Sequence, residues 1–362
     1  MRRSNSRCGL LLAAAILLAW LAAGCTSPAM KATMAPRDGE VLDGKVAVIF
    51  SANYDISFGG IENLYPFDIH KYKHIYYQLV NDGLIRPEQV FVPEEVSRED
   101  LLLVHSEHYL ATLREPRRVA KYLEFDPVKF MPIGWIDKCL LRAFRYASGG
   151  TLLASRLAVK HGMAVNLGGG YHHARPESGG GFCIYADVAV AVRKLQKEGV
   201  IQRALLVDLD VHQGDGNAVC FRNDNDVFTF SMHEEDNYPI PKAQSDLDVG
   251  MDAGVDDDQY LSVLSKYLPG CIRRAEPDII YLLAGTDVYQ GDRLGHFEMT
   301  REGIIKRDLY VFEQAARRGI PIVMVLSGGY SKASWWLHYG GIREILMKYG
   351  KADIRLPVPK AQ

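Results

Sequence analysis

Leu205-Leu206-Val207-Asp208-Leu209-Asp210-Val211-His212-Gln213-Gly214-Asp215-Gly216 reads as an apolar, buried strand that turns polar at its carboxyl end and leaves through a glycine-rich turn. Alternate side chains of a strand share a face, so Asp208, Asp210 and His212 point the same way for as long as the strand persists. Short apolar runs of this kind recur at residues 46–50, 163–167, 204–209, 227–230, 279–283 and 322–326. Between them, residues 146–160, 185–197, 259–274, 301–317 and 334–347 have helical length and spacing. Strands without alternation that are separated by helices predict a single α/β domain, its central, mostly parallel sheet sandwiched by helices.

The residues at the carboxyl end of each run locate a site. The strand at 163–167 opens into Gly168-Gly169-Gly170-Tyr171-His172-His173, and the one ending at Leu209 reaches Asp210 and His212. The later runs lead to Ser231-Met232-His233, Ala284-Gly285-Thr286-Asp287 and Ser327-Gly328-Gly329-Tyr330. Open α/β sheets hold ligands at the carboxyl ends of their strands, so these distant segments are expected to meet there. Unpaired carboxylates in an apolar sheet are costly, and a divalent cation relieves that cost. Asp210 and His212 offer an oxygen and a nitrogen, and Asp287, reached through the small Ala284 and Gly285, is the natural third ligand. Two carboxylates and an imidazole suit zinc, with iron or manganese also compatible, and leave a position open for water or substrate. Taken singly, each residue has a plainer reading as a helix cap or an exposed side chain; the spacing of the set carries the argument.

His172 and His173 would point apart on an extended segment, but in a glycine-rich loop both can turn to one cavity. There, paired imidazoles serve as a base and as a second proton-handling or electrostatic group. Asp208 and Asp215, not needed for the metal, are the candidate partners for their other ring nitrogens. The plainer readings are a surface loop pair or two more metal ligands. Tyr330 comes after two glycines that can swing its phenol towards an oxyanion formed when water attacks a carbonyl. Phe182, after Gly179-Gly180-Gly181, can wall an apolar tunnel, although a phenylalanine is by default a core residue.

The 362 residues suffice for one large domain, and 42 basic against 44 acidic residues give a formal charge of −2. That balance lacks the basic field of a nucleic-acid binder; a small or uncharged substrate fits better. Residues 1–25 stand apart: Arg2, Arg3 and Arg7 precede an apolar run at 10–23 that ends in small residues before Cys25. This is a secretory signal, and Leu21-Ala22-Ala23-Gly24-Cys25 resembles the bacterial lipobox, with Ala22 where leucine is usual. The expectation is an exported lipoprotein anchored through lipidated Cys25, on the periplasmic side and, from Thr26, at the outer membrane. The alternative is an uncleaved anchor formed by the uncharged residues 8–30. Residues 26–44 read as a linker, 45–350 as the catalytic domain and 351–362 as a tail. Cys139, Cys183, Cys220 and Cys271 form no CxxC pair and read mostly as core thiols, with a bridge between two of them left open.

Together, Gly169-Gly170-Tyr171-His172-His173, the glycine-rich run at 179–183, residues 208–216, Ala284 to Asp287, residues 291–295 and Ser327 to Tyr330 resemble the zinc-dependent histone deacetylase superfamily. The look is closest to class IV, through Asn53-Tyr54-Asp55-Ile56-Ser57-Phe58, Pro66-Phe67-Asp68, residues 291–295 and residues 303–308. The resemblance spans residues 46–349 and implies the arginase/deacetylase fold, with about eight parallel strands. It implies a zinc held by Asp210, His212 and Asp287, a general base at His173 paired with Asp215, and an electrostatic histidine at His172 paired with Asp208. Tyr330 then matches a carbonyl-polarising tyrosine, and Phe182, Gly181 and Tyr238 face the substrate. A structural monovalent cation, K+, is implied at Asp208, Asp210, His212, Ser231 and Met232, partly through backbone carbonyls. Asp215 departs from class IV, where asparagine is typical, and looks more like class I. The implied activity is removal of acetyl or longer fatty acyl groups from acylated lysine or a related amine. An exported chain does not meet histones. The alternatives are an arginase-type dimanganese ureohydrolase and a non-catalytic binding lipoprotein.

Overall fold

The computed structural model describes residues 46–56 and 68–350. The leader, linker and tail read from the sequence lie outside these residues, as do Ser57, Phe58, Pro66 and Phe67. Seven strands form one sheet: β1 (Val46–Ile49), β2 (Met163–Asn166), β3 (Ala204–Asp208), β4 (Val227–Glu234), β5 (Leu247–Met251), β6 (Ile279–Leu283) and β7 (Ile322–Val325). Every pairing is parallel, and the order is β1-β2-β7-β6-β3-β4-β5. The α/β class therefore holds, with seven strands among the described residues where the resemblance implies about eight. The strand expected over 204–209 stops at Asp208. β5 has no counterpart among the apolar runs: its sequence Leu-Asp-Val-Gly-Met is half-exposed, as suits an edge strand.

β1, β2, β3 and β6 alternate between two cores. Val46, Val48, Met163, Val165, Leu205, Val207, Ile280 and Leu282 face one layer; Ala47, Ile49, Ala164, Leu206, Tyr281 and Leu283 face the other. The first layer is closed by α1 (Lys71–Asn81), α5 (Asp257–Ala275), α6 (Arg301–Arg318) and α7 (Ser334–Tyr349), the second by α2 (Arg142–His161) and α3 (Asp187–Lys197). Between β3 and β4 lies the short α4 (Asp215–Cys220).

Helix ends obey local chemistry. Asp256 and Gln259 form a capping box at the start of α5, and Thr300 caps α6 through Gly303 N–H at 3.1 Å. Gly319, at φ 65°, ends α6 in the left-handed conformation that glycine adopts without strain. The short helices between residues 98 and 141, which the sequence did not reveal, build a third core around Tyr109, Tyr122, Leu140 and Phe144. Cys139, Cys183, Cys220 and Cys271 are all free thiols. No helix among the described residues is long and apolar enough to cross a membrane.

Candidate active site

The strand order explains why the sequence-distant groups meet. β2, β7, β6 and β3 are consecutive in the sheet, and their carboxyl ends release His172-His173, Tyr330, Asp287, and the segment from Asp208 to His212. Asp210 Oδ1 lies 3.1 Å from His212 Nδ1, and Asp287 Oδ2 lies 3.2 Å from the same nitrogen. One ligand atom from each of Asp210, His212 and Asp287 falls within 4.8 Å of the others, and all of these residues are buried. The remaining oxygens are fixed by backbone: Gly328 N–H donates to Asp210 Oδ2 at 2.7 Å and Val211 N–H to Asp287 Oδ1 at 2.9 Å.

Glycines make the approach feasible. A Cβ at Gly285 would sit 2.2 Å from Asp210 Oδ2, and one at Gly328 would sit 2.1 Å from Asp287 Oδ2. Two buried carboxylates around one imidazole carry an excess of negative charge that a divalent cation balances, so donor set and cradle fit a metal. Among the side chains alone, His212 is the neutralising group. Burial opposes its cation, but bonds and charge from Asp210 and Asp287 hold it up at about 10. Asp287 is pushed up to about 7 by burial and then by the charge of Asp210.

The two histidines stand side by side, ring centroids 4.0 Å apart. His172 Nδ1 is 2.9 Å from Asp208 Oδ2, and His173 Nδ1 is 2.5 Å from Asp215 Oδ1. Their environments separate them. Burial works against a charge on His172, yet Asp208 and Asp210 outweigh it and raise the group to about 9. Burial and the charge of His172 push His173 down to about 4, with Asp215 opposing. Arg175 grips the second oxygen of Asp215, its Nε at 2.8 Å, and with His173 it keeps that carboxylate low despite burial.

Around the histidines, Phe182 packs on Tyr330 with centroids 5.6 Å apart, and Tyr238 stands edge-on to His173 at 4.8 Å. Tyr330 stands edge-on to His212 of the candidate metal cluster, their ring centroids 6.0 Å apart. Gly181 lies beneath: a Cβ there would meet His173 Cδ2 at 2.3 Å. Ser231, implied for the monovalent cation, is the register partner of Asp208, and Met232 comes next on β4, fully buried. The candidate metal ligands, the two histidine–aspartate pairs, Tyr330, Phe182, Gly181 and Tyr238 thus gather at or beside this one edge of the sheet.

Other residues of the site escaped the sequence reading. Asp187, at the start of α3, accepts from Gly170 and Tyr171 N–H at 2.9 and 2.8 Å and so holds the loop that bears the histidines. Lys71, buried in α1, donates to the carbonyls of Ser327 and Gly328 at 2.9 and 3.2 Å. Burial lowers it to about 8, with Asp287 and other carboxylates opposing. Arg307, also fully buried, donates to the carbonyls of Leu209 and Gly285 at 3.0 and 2.7 Å, tying together the two strand ends that carry the metal-ligand set. Residues 303–308 entered the resemblance as a motif, but nothing in that motif indicated which carbonyls the guanidinium would reach.

A seven-stranded parallel sheet with such a cluster at its carboxyl edge is an arginase/deacetylase fold. Residues 65–339 match the histone deacetylase domain family, and the chain belongs to that family. It is 40% identical to histone deacetylase 2 of Arabidopsis thaliana over 293 residues, covering 80% of this chain and 76% of that one. To the acetoin utilization protein AcuC of Staphylococcus aureus it is 29% identical over 289 residues, covering 74% and 73%. The crystal structure of the HDA15 HD domain superposes with a TM-score of 0.70 at 20% identity, over 86% of this chain and 90% of that one, and is similar in fold.

Proposed function

We propose that this chain is a zinc-dependent amidohydrolase that removes acyl groups from acylated lysine or a related amine. The observation that carries the reading is the convergence of Asp210, His212 and Asp287 beside the His172–His173 pair, with Tyr330 across from them. Asp210, His212 and Asp287 would hold the zinc, which when bound supplies a Lewis acid for the scissile carbonyl and its attacking water. His173, neutral because burial and His172 disfavour its cation, accepts the proton of that water at Nε2, while Asp215 fixes its Nδ1. His172 stays charged against Asp208 and stabilises negative charge nearby. Tyr330 donates its phenol proton to the carbonyl oxygen as it becomes an oxyanion. Phe182 and Tyr238, with Gly181 keeping the floor low, align the substrate's alkyl stem. A structural K+ would be held by Asp208, Asp210, His212, Ser231 and Met232.

The ureohydrolase reading is disfavoured because Asp208 Oδ2 is engaged by His172, and both oxygens of Asp215 by His173 and Arg175, so neither carboxylate is free to bridge to a second manganese. Resemblance to class IV, whose members look like removers of long fatty acyl chains, bears on the acyl group. An apolar cavity lined by Tyr54, Tyr72, Leu140, Phe144, Tyr171 and Cys183 also has His172 and Tyr330 in its wall. Each methylene buried there adds up to roughly 0.8 kcal/mol, so the cavity favours medium or long acyl chains over acetyl. Peptides differing only in acyl length, compared by kcat/KM, test both claims. The expected result is a rise over several carbons beyond acetyl. A maximum at acetyl that falls with each carbon rejects the deep pocket, and no release from any peptide rejects the function.

We also propose that residues 1–25 export the chain and that Cys25 carries its membrane anchor. Cys25→Ser is expected to yield exported protein that fractionates away from membrane, or an uncleaved precursor. Wild-type protein recovered soluble from cytoplasm would overturn this.

A further inference from the structure

We propose that Asp292, assisted by Arg293, is the positioning residue for the Tyr330 phenol and couples it to the loop that carries Asp287. The inference rests on the reading of Tyr330 as the carbonyl-facing donor. Tyr330 leaves a turn that is unusual twice over: Ser327 has φ 54° and Gly329 has φ 129°. A serine in the left-handed region is strained, and a turn of this kind has no repeating ladder to hold it. Its shape must be imposed from outside.

From the side of the site mouth, the grip is made by two consecutive residues. Asp292 Oδ2 accepts Tyr330 N–H at 2.7 Å and Ser331 N–H at 3.0 Å, while its Oδ1 accepts Leu294 N–H at 2.9 Å. Arg293 Nε donates to the Tyr330 carbonyl at 2.7 Å. Both peptide groups of Tyr330 are therefore held by charged side chains, and charge-assisted bonds are the stronger kind. Behind the turn, Thr286 N–H donates to Gly328 O at 3.2 Å, so the segment from Thr286 to Arg293 grips the turn at both ends. Asp287 lies inside that same segment. A displacement of the Tyr330 backbone, and with it the origin of the phenol, relative to the Asp287 segment would have to break these bonds first, and a misplacement of about 1 Å is enough to cost on the order of 10²-fold in rate. Residues 291–295 entered the sequence reading only as a motif of resemblance; this grip gives the motif a physical task.

A carboxylate is required because three N–H groups converge on two oxygens. Asparagine keeps one acceptor and turns a donor towards another donor. The test places 3-fluorotyrosine at position 330 and tracks its 19F resonance, alongside turnover of a fluorogenic acetyl-lysine peptide. In Asp292→Asn the resonance is expected to shift and broaden. kcat should fall roughly tenfold, with KM and bound zinc changing by less than about twofold. In a Tyr330→Phe background, the same substitution should change kcat by less than about twofold, because the positioned group is already gone. Arg293→Met, at the exposed side of the loop, should give the same signs with smaller amplitude, and it decides the matter if Asp292→Asn does not fold. An unchanged 19F line in both variants overturns the proposal, as does a tenfold loss that persists in the Tyr330→Phe background. Full turnover by Tyr330→Phe would refute the role of Tyr330 instead, and the 19F line would still report whether Asp292 positions the ring.

Discussion

Asp287→Ala, and separately Asp210→Ala, is expected to abolish zinc retention and hydrolysis together while leaving the chain folded. A three-ligand site that loses one carboxylate keeps a single imidazole and a single oxygen. Outer-shell partners alone alter affinity by roughly 10–100-fold, so a lost ligand should cost more than that. Stability should move the other way. Asp210 and Asp287 are both fully buried and both within 3.2 Å of the same His212 nitrogen, so in the presence of chelator the one imidazolium offsets only one of two mutually repelling carboxylates. Removing one of them relieves that repulsion, and the melting temperature of the chelated variant should equal or exceed that of the chelated parent. Elemental analysis and thermal melts with and without chelator read both effects. A variant that retains one zinc per chain would remove the assignment, and two tightly bound ions in the parent would favour the dimanganese alternative.

The sequence was most legible where burial is two-sided. The runs at 163–167, 279–283 and 322–326 match β2, β6 and β7 to within a residue, since an apolar strand covered by helices on both faces has no polar positions to blur it. β5 was illegible for the opposite reason: its acidic and glycine residues are tolerated because, among the described residues, its outer edge faces no further strand. The metal-ligand set was legible because its residues sit at strand ends, where the direction of the chain is set by the sheet. Strand alternation places only Asp208. The strand stops at Asp208, and Asp210 and His212 reach the site along an irregular segment that Val211 N–H pins to Asp287. What no pattern disclosed is how the outer frame acts: Lys71, Asp187, Asp292 and Arg307, the last two inside motifs of the resemblance, bond to backbone carbonyls and amides far away in sequence. A side chain that bonds to backbone leaves no mark on the identity of its partner. The same limit hid the helices between residues 98 and 141, which are too short to show a period yet build the core beside the apolar cavity.

His173→Ala and Tyr330→Phe are expected to separate chemistry from metal binding. Neither side chain belongs to the ligand cluster, and each meets His212 only edge-on, ring to ring at 6.0 Å: His173 hydrogen-bonds to Asp215, and the turn before Tyr330 is gripped through its backbone. Zinc content should therefore stay at one per chain in both variants. Turnover should fall by roughly 10²–10³-fold in each, the range for losing a general base or one oxyanion donor. The accompanying changes should differ. Tyr330→Phe keeps the ring that packs on Phe182, so the channel wall and KM should hold, and the loss should fall on kcat. His173→Ala opens space against Tyr238 and frees Asp215, which remains paired with Arg175, so the fold is kept while Tyr238 loses its edge contact and KM should rise as well. Wild-type turnover in either variant would remove the role assigned to that residue. Loss of zinc in His173→Ala would instead place this histidine among the ligands.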